Sequence, residues 1–249
     1  MPVLRKNPIT NEWVIIATER AKRPREYKVE RESLETHFCP FCVGNEDATP
    51  PEIRTYKPHG PGTEDAPWSV RVVPNKYPAL RVEGSLDKRG EGIYDIMEGV
   101  GAHEVIIESG THVADFADLS PRQITTVLWA WRDRIVDLRN DPRLKYVVIF
   151  KNHGAEAGAT IEHAHSQLIA LPIVPKRLRE ELDGAQKYYD FRERCVFCDI
   201  ITQELDTRKR VVFENSDVVA IAPFASRFPF ELWFLPRRHQ AAFEKGDQR

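Results

Sequence analysis

The sequence predicts an α+β fold of two related halves, each an antiparallel sheet or half-barrel with helices packed on it. Three observations carry that expectation. Short β-branched runs recur along the chain, one long helical period lies among them, and a set of chemistry-bearing residues occurs twice in the same order. The 249 residues suit one large domain or two small ones.

Trp13-Val14-Ile15-Ile16 is an apolar run of strand length, followed by the basic stretch Arg20-Ala21-Lys22-Arg23-Pro24. Residues 46–68 are rich in Pro, Gly and charge and read as loop. Arg71-Val72-Val73 and Glu104-Val105-Ile106-Ile107 are strands. Ser120-Pro121 then opens a helix, with apolar residues at Ile124, Val127, Leu128, Trp131, Ile135 and Leu138. Ser120 is placed to cap it, and proline is tolerated at the first helical position because its missing N–H would be unpaired there anyway. Tyr146 to Phe150 is another strand, as is the stretch from His163 to Ala170, bounded by Gly158 and Pro172. Residues 175–194 are charged and read as a short helix and a linker.

An internal repeat sets the organisation. The segment from His103 to His112 aligns without gaps onto the segment from Phe230 to His239. Upstream of each, a β-branched run reaches an asparagine, Asn75 and Asn215, and further upstream lies Cys-x-Phe-Cys, at 39–42 and 195–198. Three matches in one order argue for duplication. The halves are therefore placed at 1–174 and 195–249, joined by 175–194. His163-Ala164-His165-Ser166-Gln167 has no counterpart at the same offset beyond His239, so the second half reads as cut short.

Composition excludes several classes. Hydrophobic residues make up 41% and charged residues 30%, enough apolar material for an ordinary core. Lys plus Arg number 36 against 38 Asp plus Glu, and a net charge of −2 argues against nucleic acid as partner. The longest apolar run, Leu168 to Val174, is broken by Pro172 and is far short of the roughly 18 residues of a membrane span. No apolar signal region follows the N-terminal charges, so a cytoplasmic chain without membrane partners is expected.

In such a chain, paired Cys-x-x-Cys motifs are more often metal ligands than disulfides. Tetrahedral zinc takes four soft or borderline donors. Cys39 and Cys42 offer one pair from a tight turn, with His112 and His163 as the complement. Cys195, Cys198 and His239 form a second set, its fourth ligand missing from the chain. A single four-cysteine ribbon is the competing assignment, but 152 residues between the pairs is far from the usual ribbon spacing. The plain alternative is that the cysteines are small buried hydrophobes.

The catalytic candidates are His165 and Gln167. Alternate residues of a strand share a face, which would align His163, His165 and Gln167. With His163 on a metal, His165 is free as nucleophile or base, and Gln167 could donate to a phosphoryl oxygen. The loop from Asn152 to Thr160 is small and glycine-containing, and its amides could cradle phosphate. Arg20, Lys22 and Arg23 add cations suited to phosphate oxygens.

Taken together, Arg20 to Pro24, Cys39-Pro40-Phe41-Cys42, Asn75 to Leu80, Asn152 to Thr160, His163 to Gln167 and Ala222 to Phe230 resemble the galactose-1-phosphate uridylyltransferase family of the histidine-triad superfamily. The resemblance runs over nearly the whole chain. It implies two histidine-triad-like halves and a ping-pong exchange of UMP between UDP-glucose and galactose 1-phosphate. In that reaction His165 would carry the uridylyl group and Gln167 would hold a phosphoryl oxygen. It further implies that Arg20, Arg23, Asn75, Asn152 and Thr160 bind substrate, that Cys39, Cys42, His112 and His163 bind structural zinc, and that the protein is a homodimer. Two positions depart from the family pattern: Ala164 stands between the histidines where proline is common, and Lys76 follows Asn75 where an acidic residue is common. An ADP-glucose phosphorylase branch is similar over the same motifs, which brings ADP-glucose and adenylyl transfer into view. Hydrolysis of a nucleotide conjugate and a zinc-stabilised binding module without catalysis are the further alternatives.

Overall fold

The computed structural model describes residues 3–17, 38–57 and 67–246, so Arg20, Lys22 and Arg23 lie outside the described residues. In chain order, β1 (Val3–Lys6) and β2 (Trp13–Ile16) form an antiparallel hairpin. Next come β3 (Arg54–Tyr56), β4 (Val70–Pro74), β5 (Arg89–Glu91), β6 (Tyr94–Ile96) and β7 (Ala102–Ile107). Helix α1 (Pro121–Leu138) precedes β8 (Tyr146–Phe150) and β9 (His165–Leu171). Helices α2 (Lys176–Arg192) and α3 (Val196–Thr207) lead to β10 (Val211–Glu214), β11 (Val218–Ile221) and β12 (Trp233–Pro236).

The chain divides into two compact units, one of residues 31–174 and one combining 1–30 with 175–249. The first unit is built on an open, five-stranded antiparallel sheet in the order β3-β4-β7-β9-β8. Its register pairs Ile107 with His165, Val105 with Gln167 and His103 with Ile169. Burial along β9 alternates with the pleat: Ser166, Leu168 and Ala170 are buried, while His165, Gln167 and Ile169 are half-buried. The buried face receives α1, in a core of Val70, Val72, Ala102, Ile106, Val127, Ala130, Leu138, Leu168 and Ala170. Ser120 caps the helix as expected, its Oγ accepting from Gln123 N–H at 3.2 Å. The opposite face carries a second cluster, in which the Cys39–Cys42 turn and Trp68 pack on Val73, Val105 and Ile107. One sheet face is thus spent on folding, and the other presents the candidate site.

In the second unit, α3 packs on the antiparallel sheet β10-β11-β12, with Ile201, Val219 and Ile221 buried between them. The N-terminal hairpin segment belongs here: a Cβ at Gly184 of α2 would collide with the carbonyl oxygen of Ile9.

Several sequence expectations are corrected. Residues 46–68 are not all loop, because Arg54–Tyr56 pairs with β4; three residues carry too little hydrophobic period to be read. Residues 175–194 are mostly a 17-residue helix. Strand β9 begins at His165, since the ladder with β7 starts at the His165–Ile107 pair, and His163 lies in the approach to it. The repeat is kept only in part: β4, which leads to Asn75, pairs directly with β7, whereas β10, which leads to Asn215, pairs with β11, and it is β11 that pairs with β12. Strand β7 ends five residues before His112 and β12 three before His239.

Candidate functional site

The Cys39–Cys42 turn is closed by Cys42 N–H donating to Cys39 C=O at 3.3 Å, and Asn45 Nδ2 donates to the same carbonyl at 2.7 Å. This points both sulfurs at His163 Nδ1, 3.5 Å from Cys39 Sγ and 3.6 Å from Cys42 Sγ. His112 Nδ1 lies 3.6 Å from Cys42 Sγ. Ligand atoms of Cys39, Cys42, His112 and His163 all fall within 4.8 Å of one another, a group that could hold a metal ion. The donor set fits a borderline divalent cation. His163 is fully buried, and its Nε2–H donates to Ser109 C=O at 2.9 Å, which leaves Nδ1 with its lone pair toward the sulfurs. Burial brings the His163 pKa down to about 4, and burial together with the neighbouring Cys39 pushes the Cys42 thiol up to about 11.

In the other unit, Cys195, Cys198 and His239 form a three-donor group that could also hold a metal ion. Cys195 stands at the residue preceding α3, without a side-chain cap hydrogen bond, and Cys198 Sγ lies 3.3 Å from His239 Nδ1.

His165 stands at the first position of β9, with its ring edge against Phe41, centroids 5.3 Å apart. Its Nδ1–H donates to the carbonyl of His163 at 2.7 Å, so Nε2 keeps the lone pair. Burial lowers its pKa. Gln167 follows two residues on and shares the His165 face, as the alternation required. His163 precedes the strand, and its ring, like that of His165, stands edge-to-face with Phe41, centroids 6.0 Å apart.

Two groups that sequence reasoning passed over hold this arrangement. Lys151 Nζ donates to the His165 carbonyl at 2.9 Å and to Glu108 Oε2 at 2.6 Å, which fixes the backbone of β9 from its neighbour. Glu108 is fully buried, and burial raises its pKa against the pull of Lys151. His103 of β7 reaches diagonally across the ladder, with Nε2 2.9 Å from Gln167 Oε1. Its only sequence signal was its place at the head of the repeated segment.

Asn75 follows β4 and places Nδ2 3.5 Å from Gln167 Oε1. Asn152 is half-buried just after β8, and Thr160 is exposed ahead of His163. Between them, Gly154 and Gly158 adopt φ of +81° and +85°, in the left-handed region that favours glycine.

Fold and site together define an α+β protein with a four-donor Cys/His cluster beside a strand-borne imidazole. Residues 1–175 match the family described as galactose-1-phosphate uridyl transferase, N-terminal domain. ADP-glucose phosphorylase of Arabidopsis thaliana is 37% identical over 251 residues, 99% of this chain and 69% of that protein. Galactose-1-phosphate uridylyltransferase of Thermotoga maritima is 31% identical over 240 residues, 96% of this chain and 68% of that protein. The crystal structure of the Arabidopsis thaliana ADP-glucose phosphorylase with bound ADP-glucose superimposes with a TM-score of 0.80, at 36% identity, over 99% of this chain and 72% of that one. The chain belongs to the galactose-1-phosphate uridyl transferase family. No helix among the described residues is long and apolar enough to cross a membrane.

Proposed function

We propose that this chain is a nucleotidyltransferase that carries the nucleotidyl group on Nε2 of His165. One observation supports the reading above the rest: the 2.7 Å bond from Nδ1 to the His163 carbonyl commits the ring proton to one nitrogen and leaves the other as nucleophile. In the first step Nε2 bonds to the α-phosphorus of a nucleoside diphosphate sugar. The bond from that phosphorus to the bridging oxygen breaks, and sugar 1-phosphate leaves with the electron pair. In the second step a phosphate oxygen of the acceptor, inorganic phosphate or a sugar 1-phosphate, attacks the same phosphorus, and imidazole leaves. Neutral imidazole serves both as nucleophile and as leaving group, which splits one difficult displacement into two easier ones.

Gln167 is assigned to donate to a phosphoryl oxygen of the intermediate. Asn75 and, through the family resemblance, Arg20, Arg23, Asn152 and Thr160 are assigned to hold the nucleotide and its phosphates. Zinc is the ion assigned to Cys39, Cys42, His112 and His163. With four protein donors the site has no open position, so its role is to pin the turn and His163 beneath the nucleophile. Zinc is assigned in the same way to Cys195, Cys198 and His239.

ADP-glucose is the favoured donor, because the relative at 37% identity is an ADP-glucose phosphorylase and the solved structure at TM-score 0.80 holds that molecule. The uridylyl reading, with UDP-glucose as donor and galactose 1-phosphate as acceptor, is supported by the 31% identical Thermotoga maritima enzyme. Intact-mass spectrometry under non-acidic conditions separates the two. An AMP adduct formed from ADP-glucose and lost in His165→Ala is the expected result, whereas a UMP adduct from UDP-glucose alone would assign uridylyl transfer. No adduct from either donor, on protein with metal bound, would overturn the covalent reading.

A further inference from the structure

We infer that His103 is a positioning residue that sets which end of the Gln167 amide faces the reacting phosphate, an inference that rests on the function proposed above. A glutamine amide has one end that donates and one that accepts, and the two are nearly equal in shape. Only the NH2 end stabilises a phosphoryl oxygen; the carbonyl end repels it. Something has to choose between them.

The choice is traceable through four groups. The backbone N–H of Ala79 donates to His103 Nδ1 at 3.1 Å. An N–H cannot bond to a protonated Nδ1, so the ring proton of neutral His103 sits on Nε2. That Nε2–H lies 2.9 Å from Gln167 Oε1 and donates to it. Asn75 Oδ1 accepts from Tyr77 N–H at 2.9 Å, which leaves Asn75 Nδ2 as a donor, 3.5 Å from the same Gln167 Oε1. His103 Nε2 and Asn75 Nδ2 are 3.1 Å apart because they converge on one acceptor. With Oε1 held by two donors, the Gln167 Nε2 amide is the end left to face ligand.

The ladder explains why a histidine at this position can do so. His103 pairs with Ile169, and Gln167 is its diagonal neighbour on the same face. The loop that supplies Ala79 is in turn tied to β7 through Gly101, whose N–H donates to Arg81 C=O at 2.8 Å. The information that orients Gln167 thus begins at a backbone amide outside the sheet.

The test measures single-turnover formation of the nucleotidyl–His165 adduct, with ADP-glucose and UDP-glucose as donors, in wild type, His103→Ala, Gln167→Ala and the double variant. Removing a preorganised donor of this kind typically slows chemistry by about 10²–10³-fold. His103→Ala is expected to lose at least about tenfold, and no more than Gln167→Ala, with nucleotide-sugar binding changed far less. The double variant should be no slower than Gln167→Ala alone, because the effect of His103 passes through Gln167. His103→Gln, which can restore an N–H toward Oε1, should recover most of the loss.

Additive losses in the double variant, or a full rate in His103→Ala beside an impaired Gln167→Ala, would overturn the inference and leave the proposed reaction standing. A full rate in Gln167→Ala would overturn the inference and the role assigned to Gln167, while the adduct itself would leave the covalent reaction on His165 standing. A second readout does not depend on activity: ¹⁵N NMR of the imidazole nitrogens should show His103 protonated at Nε2. An Nδ1–H tautomer would overturn the inference whatever the kinetics.

Discussion

Replacing Glu104 by leucine removes the partner of a charge that the fold has placed in its core. Arg134 lies on the buried face of α1, and its guanidinium meets the Glu104 carboxylate of β7 side-on, Nε to Oε2 and Nη2 to Oε1 both at 2.7 Å. The two side chains are only 7% and 5% exposed. Breaking a buried pair by removing one member costs about 3–5 kcal/mol, since the survivor stays desolvated without compensation. Arg134 keeps one further contact, Nη1 to Asp137 at 2.7 Å, and Asp137 is 62% exposed and so reaches solvent. That remaining bond places the expected loss at the lower end, about 3 kcal/mol.

The companion variant Glu104→Leu/Arg134→Met replaces both charges by apolar groups of similar volume. It should return to within about 1 kcal/mol of wild type, because no unpaired polar group remains. Urea titration followed by far-UV circular dichroism and tryptophan fluorescence gives both differences from midpoint and slope. A single variant that loses less than about 1 kcal/mol would refute the claim that the pair is desolvated. A double variant as unstable as the single one would show that the loss comes from packing and not from charge.

Three further outcomes follow from the same geometry. Cys39→Ala removes one of the four donors of the candidate metal site, so, with zinc as the proposed occupant, bound zinc measured by elemental analysis should fall by one equivalent and the melting temperature should drop, whereas His165→Ala should keep its zinc; equal zinc in Cys39→Ala and wild type would rule the site out. The Glu46 carboxylate accepts from Trp68 Nε1–H at 2.7 Å and from Gly44 N–H at 3.0 Å, and the Trp68 bond leads the lowering of its pKa below 4.5. A depressed carboxylate contributes stability that is present above 4.5 and lost as pH falls through the lowered value, so the acid limb of stability should be shallower in Glu46→Gln than in wild type; parallel limbs would refute the assignment. A Cβ at Gly101 would overlap the carbonyl oxygen of Ala170 and come within 2.8 Å of Leu80 Cδ1, so Gly101→Ala should lower the unfolding free energy read from urea titration by about 1–3 kcal/mol, and a neutral result would mean that the strand ends separate freely.

The parts of the site legible in sequence were those set by local spacing. A Cys-x-x-Cys turn, a Ser-Pro helix start and the two-residue period that puts His165 and Gln167 on one face are all short-range, and the structure keeps each of them. What the sequence hid depends on which strands become neighbours. His103 is 64 positions from Gln167, and Lys151 is 43 from Glu108. Nothing local distinguishes them from the ordinary polar residues of a strand or its flank until β7, β8 and β9 align. Arg134 was masked differently: it breaks the apolar stripe of α1, yet it lies on the buried face because Glu104 meets it there. Strand β3 escaped notice because three residues show no period, and its pairing with β4 is what makes it a strand.

The two histidines at 163 and 165 show why the order of this segment matters more than its composition. The same side chain is given opposite tautomers two residues apart. His163 spends its Nε2–H on the Ser109 carbonyl and turns Nδ1 to the cysteines, while His165 spends its Nδ1–H on the His163 carbonyl and leaves Nε2 open. Both acceptors are backbone oxygens, so the assignment comes from the path of the main chain and not from a third side chain that mutation could remove. The path is itself fixed at both ends, since Ala164 N–H donates to Val113 C=O at 2.6 Å and Glu108 N–H donates to Ala164 C=O at 3.1 Å. Those bonds hold the residue between the histidines in place without the proline that is common there, and they account for alanine serving at that position. A metal that grips His163 would stiffen the carbonyl that orients His165, which would couple that ion to the imidazole proposed as nucleophile through one hydrogen bond.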